Sequence, residues 1–175
     1  MELHLLRKLP TTPMSTSLQK PHQVSPINIF FLQISFLGEE NLIERIGRMA
    51  TTNPLWVDVT WGAGGSTFDK TLDICGHLTQ VMGLDVLMHL TCTGLTRDRV
   101  IESLDKAKEY GIRNILALRG DPPAGVENWT PVENGFTYAT QLVAFIRERY
   151  GDYFCIVVAG YPEMHMTQTN RDLDI

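Results

Sequence analysis

Side chains that could hold or activate a ligand stand where several apolar runs of this chain end. Thr60 and Trp61 close one run, His89 lies near the end of the next, and Arg119 and Asp121 follow a third. A guanidinium binds anions, a carboxylate can fix the orientation of a ligand, and an indole can stack on a planar ring or simply cover the core. These residue types favour a site for a polar, planar ligand, although a surface ion pair would also explain Arg119 and Asp121.

A glycine-rich turn follows Trp61, over residues 62–67 (GAGGST). Backbone N–H groups at the start of a helix favour an anion such as a phosphate. The turn lacks the third glycine of G-x-G-x-x-G, because Thr67 stands there, and it lacks the lysine of a P-loop. A tight turn capped by Ser66, with no ligand, fits the spacing equally well.

The histidines and cysteines show no pattern of metal binding or hydrolysis. His89 is a single imidazole in an apolar run, which is more often a hydrogen-bonded core residue than a catalyst. No second histidine, cysteine or carboxylate stands at the spacing of a metal site, so we predict none. No Ser-His-Asp or Cys-His signature supports acyl transfer.

Composition indicates one globular domain and limits its partners. The 175 residues are 43% hydrophobic and 20% charged, and 15 basic against 20 acidic side chains give a net charge of -5. Nucleic acid is therefore not an expected partner. No apolar stretch approaches the roughly 20 residues that span a bilayer. The three cysteines, Cys75, Cys92 and Cys155, are predicted to be reduced thiols, so we expect a cytoplasmic protein.

Apolar runs and helical patterns alternate from residue 28 onward. Residues 1–27 are rich in Pro, Ser and Thr and are predicted to be a disordered extension, so 28–175 form the domain. The predicted strands are 28–36, 55–60, 86–91, 114–119 and 154–161. Helical spacing of apolar residues separates them, with Gly83 and Gly111 predicted to end the second and third helices.

An order of β-α-β-α-β-α-β-α-β predicts an α/β fold with parallel strands. Two architectures share this order, the doubly wound open sheet and the (β/α)₈ TIM barrel. The polar residues follow several different strands, which is how barrels assemble one site from many loops. We therefore predict the first five strands and four helices of a barrel.

Four motifs occur together in this chain and resemble one family. They are 57–67 (VDVTWGAGGST), 88–92 (MHLTC), 114–123 (NILALRGDPP) and 158–163 (VAGYPE). In this order they resemble the eukaryotic methylenetetrahydrofolate reductases, and the resemblance runs from 38 to 165. It implies a flavoprotein in which NAD(P)H reduces FAD and the flavin passes hydride to 5,10-methylenetetrahydrofolate, giving 5-methyltetrahydrofolate for methionine synthesis.

The resemblance also implies the roles of single residues. Asp121 would face the folate pterin as well as FAD and would influence how readily the reduced flavin gives up hydride. Thr60 would lie close to the nicotinamide. The implied FAD-binding residues are Thr60, Trp61, Ala63, His89, Arg119, Gly120, Asp121, Tyr138, Ala139, Tyr161 and His165.

Two departures from the family stand out. Its first strand ends in Phe-Glu-Phe-Phe-Pro-Pro, and that Glu is the general acid that helps to open the folate ring. Here 34–36 (ISF) runs directly into 37–42 (LGEENL), and Glu39 and Glu40 belong to the next helix. General acid catalysis is worth about 10²–10⁴-fold, so we expect a loss of that order. The chain also ends after the fifth strand, whereas a barrel has eight.

Three functions remain open on the sequence. The chain is a reductase of methylenetetrahydrofolate, or it is a non-catalytic fragment with a partial flavin site that pairs with the full-length enzyme or with itself. The third is an open-sheet domain that binds a dinucleotide. An acidic residue ending the strand after the glycine turn would favour the third, but Leu87-Met88-His89 stands there.

Overall fold

Five strands and four helices alternate along the part of the chain that the structure describes. The computed structural model describes residues 29–33, 39–60, 68–120 and 132–160. The strands are β1 (Ile29–Gln33), β2 (Trp56–Thr60), β3 (Val86–Thr91), β4 (Asn114–Leu118) and β5 (Cys155–Val158). The helices are α1 (Glu39–Ala50), α2 (Phe68–Gln80), α3 (Arg97–Glu109) and α4 (Ala139–Tyr150). This is the alternation that the periodicity predicts, and the proposed extension over 1–27 lies outside the described residues.

The five strands form one parallel sheet in the order β1-β2-β3-β4-β5. A doubly wound sheet reverses its strand order at a switch point, whereas these strands follow one another in sequence. Right-handed crossovers between such strands place every helix on the same face of the sheet. The order therefore confirms an α/β fold consistent with part of a TIM barrel.

The face of the sheet that carries the helices is apolar. On β3, Val86, Met88 and Leu90 are at most 3% exposed and belong to the main core. Apolar residues that recur every three or four positions along the helices pack in the same core. Leu72 of α2 and Leu104 of α3 are examples. The opposite face of the described strands carries the polar residues, as described below. None of the helices in the described ranges has the length and apolar character needed to cross a bilayer.

Glycine ends α3 as predicted. Gly111 has φ +80°, which favours a residue without a Cβ atom. Its N–H donates to Lys108 O (3.1 Å), and the N–H of Ile112 donates to Ala107 O (2.9 Å). These two bonds form a Schellman motif and turn the chain from α3 into β4. Gly83, with φ +65°, lies three residues after the end of α2, and the N–H of Leu84 donates to Leu78 O (3.0 Å).

Three predicted strands extend too far, and the second begins at Trp56 instead of Leu55. The fourth ends at Leu118 instead of Arg119, because its pairing with β3 ends at Thr91↔Leu118. The fifth covers only Cys155–Val158 instead of 154–161. Its pairing with β4 ends at Ala117↔Val158, and the side chain of Val158 is 58% exposed.

Candidate active site

Four of the predicted site residues lie at the carboxyl edge of three adjacent strands. Thr60 is the last residue of β2, His89 lies two residues before the end of β3, and Arg119 and Gly120 directly follow β4. These strands are parallel and hydrogen-bonded neighbours, so their backbones run about 4.8 Å apart. The structure therefore brings the four residues to the same edge of the sheet.

Alternation along β2 explains why its polar residues share a face. Val57 and Val59 point towards the helices and are at most 1% exposed. Trp56, Asp58 and Thr60 alternate with them and therefore lie on the face of the sheet opposite the described helices. This face carries a buried carboxylate directly below the strand end.

Asp58 and His89 form a buried hydrogen-bonded pair across β2 and β3. His89 Nε2 lies 3.2 Å from Asp58 Oδ1. His89 is 8% exposed and Asp58 is 3% exposed. The indole Nε1–H of Trp56 donates to the other carboxylate oxygen, Oδ2, at 3.0 Å. Both oxygens of the carboxylate thus face an N–H-bearing ring, and the imidazole of His89 is held in one orientation.

The segment after β4 is tied to the segment after β3. The carbonyl of Arg119 accepts from the N–H (2.9 Å) and the hydroxyl (2.7 Å) of Thr93. Gly120 has φ +87°, and a Cβ atom placed there would lie 2.9 Å from both Thr91 Cβ and Thr93 Oγ1. Only glycine fits this close approach, so a bare stretch of backbone stands at the edge beside Arg119.

Cys92 lies at the same edge but is not suited to covalent chemistry. Burial raises the pKa of its thiol to about 12, although the nearby Arg119 guanidinium opposes the shift. A thiol that stays protonated is a poor nucleophile. Within the described ranges, no group of three or more His, Cys, Asp or Glu side chains is arranged to hold a metal ion.

Tyr138 and Ala139 stand at the start of α4. Gln141 Oε1 accepts from the N–H of Thr137 (2.8 Å) and of Tyr138 (3.3 Å), which satisfies two donors at the helix start. Tyr138 is 52% exposed. Because β4, α4 and β5 form one parallel crossover, the start of α4 lies on the side of the sheet where β4 ends.

Five predicted site residues lie outside the described residues, and so does the glycine-rich turn over 62–67. The five are Trp61, Ala63, Asp121, Tyr161 and His165.

Sequence reasoning missed Asp58, Trp56 and Thr93. Asp58 stands inside an apolar run and not at its end, where the candidate site residues were expected. The signal was nevertheless present, because Trp56, Asp58 and Thr60 alternate with two valines and so predict one polar face of β2. Thr93 offered no local signal, since its partner Arg119 is 26 residues away in sequence.

The sequence that forms this arrangement is similar to those of known proteins from one family. Residues 30–175 match the family model described as methylenetetrahydrofolate reductase. The chain is 50% identical over 128 residues to methylenetetrahydrofolate reductase (NADH) 1 of Zea mays, which covers 73% of the chain and 22% of that protein.

Two further relatives come from a yeast and an animal. The chain is 43% identical over 148 residues to methylenetetrahydrofolate reductase 2 of Saccharomyces cerevisiae, covering 83% of the chain and 25% of the relative. It is 36% identical over 144 residues to the probable methylenetetrahydrofolate reductase (NADPH) of Caenorhabditis elegans, covering 79% and 21%. The chain thus spans about a quarter or less of the length of these relatives.

Proposed function

Because this chain belongs to the methylenetetrahydrofolate reductase family, we propose that it takes part in reducing 5,10-methylenetetrahydrofolate to 5-methyltetrahydrofolate, with NAD(P)H as reductant and FAD as bound cofactor. One structural observation supports the proposal beyond the family match. Polar groups from three consecutive strands, Thr60, His89 and Arg119-Gly120, occupy the carboxyl edge of the sheet, where barrel enzymes bind their ligands.

The described residues suit the chemistry of FAD. A flavin nucleotide offers anionic phosphates and a ring edge with several donors and acceptors. Arg119 supplies a half-buried guanidinium for an anion, and Thr60 and His89 supply groups that can donate or accept. The bare backbone at Gly120 lets a flat ring approach closely. Bound FAD would supply hydride transfer between the nicotinamide and the folate.

The chain's own residues would bind the flavin and the folate and orient them. Asp58 holds the ring of His89, and Thr93 holds the carbonyl of Arg119, so both groups are in place before a ligand arrives. Pre-organised groups of this kind bind without the entropic cost of ordering. We assign the remaining contacts by resemblance: Trp61, Ala63, Asp121, Tyr138, Ala139, Tyr161 and His165, with Asp121 also facing the folate.

We further propose that folate reduction by this chain alone is impaired. The family's general-acid Glu has no counterpart before Leu37, and the loss of a general acid costs about 10²–10⁴-fold. The missing general acid equally supports the alternative of a non-catalytic fragment with a partial flavin site that pairs with the full-length enzyme or with a second copy.

Flavin binding by the purified 175-residue chain tests the proposal. We expect added FAD to be retained through gel filtration and its fluorescence to be quenched. H89Q should weaken FAD binding by about 10-fold, the equivalent of one hydrogen bond. H77Q, on α2, is the matched control and should leave binding unchanged. A chain that neither retains FAD nor quenches its fluorescence overturns the proposal.

The redox half-reactions then separate the two functions. NADH and NADPH are each added to the FAD-loaded chain without oxygen, and bleaching of the flavin absorbance is followed. Reoxidation by 5,10-methylenetetrahydrofolate supports the reductase, whereas bleaching without reoxidation supports the non-catalytic alternative.

The state of the thiols supports a cytoplasmic location. Cys75, Cys92 and Cys155 are all free, which fits the reducing cytoplasm.

A further inference from the structure

We propose that Asp58 is a positioning residue that sets the tautomer of His89. Its carboxylate keeps the hydrogen of the neutral imidazole on Nε2 and leaves Nδ1 as the acceptor for a donor group of the ligand. The identity of that ligand as a flavin rests on the proposed function, but the tautomer does not. Asp58 would thus act on the ligand only through His89.

The hydrogen-bond inventory of the pair carries the first step. Trp56 Nε1–H can only donate, and it lies 3.0 Å from Asp58 Oδ2. His89 Nε2 lies 3.2 Å from Oδ1 of the same carboxylate. An ionised carboxylate has only acceptors, so the nitrogen facing it must carry hydrogen. A neutral imidazole has one N–H, and Nδ1 is then the acceptor.

The location of the pair carries the second step. Polar groups in a sheet core cost desolvation energy, and apolar residues of similar size often stabilise a fold equally well. The helix-facing sides of β2, β3 and β4 use apolar residues throughout. Asp58 and His89 instead lie on the opposite face, Asp58 two residues before Thr60 on β2 and His89 two residues before the end of β3. A pair that only stabilised the sheet would not need to lie beside the strand ends.

Asparagine at position 58 makes the inference testable, because Trp56 dictates how the new amide must turn. The amide oxygen has to stay with the indole N–H, so the amide NH₂ faces His89 Nε2. Nε2 must then accept, and the hydrogen moves to Nδ1. D58N is therefore expected to invert the tautomer with little change in the shape of the site.

The double variant W56F/D58N is the matched control. Phenylalanine removes the indole N–H, so the amide is free to turn its oxygen towards Nε2, and the Nε2–H tautomer is expected to return. W56F alone keeps the carboxylate and should keep the wild-type tautomer. A role in packing alone predicts no such reversal.

The experiment is long-range ¹H–¹⁵N NMR on the full chain with labelled histidine and no added FAD. Spectra are recorded at a pH above which the ring shifts no longer change, so that the imidazole is neutral. The His89 signals are assigned by their absence in H89Q. We expect Nε2–H in the wild type and W56F, Nδ1–H in D58N, and recovery of Nε2–H in W56F/D58N. Nδ1–H in the wild type, or an unchanged tautomer in folded D58N, overturns the inference.

FAD affinity gives the second readout. D58N should weaken FAD binding by about 10- to 100-fold, by analogy with the loss seen when the partner that orients a metal-ligating histidine is removed, and W56F/D58N should recover part of it. If D58N does not fold, the wild-type and W56F spectra still decide the tautomer. A chain that binds no FAD overturns the proposed function, while the spectra judge Asp58 separately.

Discussion

The carbonyl of Arg119 accepts two hydrogen bonds from Thr93, one from its N–H (2.9 Å) and one from its hydroxyl (2.7 Å). The two residues follow adjacent strands, β3 and β4, and both lie at the edge that carries the candidate site. These two hydrogen bonds fix the position of the segment after β4 relative to the segment after β3. They therefore determine the point on the backbone from which the Arg119 side chain extends.

T93V tests the contribution of the hydroxyl. Valine has nearly the same shape but cannot donate from its side chain, so the free energy of unfolding should fall by about 1 kcal/mol. T93S keeps the hydroxyl and should lose less. Urea denaturation of the three proteins measures the difference. A loss in T93S with none in T93V would mean that the methyl group, and not the hydrogen bond, stabilises this edge.

G120A should be more destabilising than G94A. Both glycines have positive φ, +87° and +74°, so alanine strains the backbone by about 1 kcal/mol at either position. At Gly120 the new Cβ would also lie 2.9 Å from Thr91 Cβ. A Cβ atom at Gly94 would have no neighbouring atom within 4 Å. Overpacking adds about 1–3 kcal/mol. Thermal unfolding compares the variants, and similar losses would contradict the crowding at Gly120.

The contact between α2 and α3 should depend on pH. Lys106 Nζ donates to Asp73 Oδ1 (2.7 Å) and lowers the pKa of this carboxyl; the Tyr110 hydroxyl (3.0 Å) helps, while partial burial opposes the shift. The same bond raises the pKa of Lys106. The stabilisation is thus present between the ordinary values of 3.8 and 10.5, and is lost as the pH falls below the first or rises above the second.

D73N measures this contact. The pair is largely exposed, so we expect a loss of at most about 1 kcal/mol at neutral pH, shrinking at acid pH and in high salt. E44Q breaks the exposed pair with Arg48 within α1 and should cost less. Urea denaturation at several pH values gives the comparison. A difference between wild type and D73N that persists below pH 3 would argue against the ion pair.

Thiol reactivity should distinguish the three cysteines. Cys75 and Cys92 are at most 2% exposed, and burial raises the pKa of each thiol, to about 12 for Cys92. Cys155, at the start of β5, is partly exposed. A disulfide reagent should therefore modify one thiol rapidly in the native chain and three in urea. C155S should abolish the rapid phase, and its survival would show that Cys75 or Cys92 is accessible.

Much of the chain's architecture was predictable from local pattern. The continuous apolar run of 86–91 predicts a strand, and Gly111 marks the end of α3, because backbone conformation and the burial of one face are local properties. Alternation along β2 also contained the polar face that holds Asp58. The same residues showed that Thr60, His89 and Arg119 stand at strand ends.

Which residues meet was decided only by the tertiary structure. Periodicity allowed either a doubly wound sheet or a barrel, and the consecutive strand order resolved the choice. Asp58 and His89 are 31 residues apart in sequence, and Thr93 and Arg119 are 26 apart. Such pairs form because the register of neighbouring strands places them side by side. That register follows from packing the whole apolar face against four helices, which no short stretch of sequence encodes.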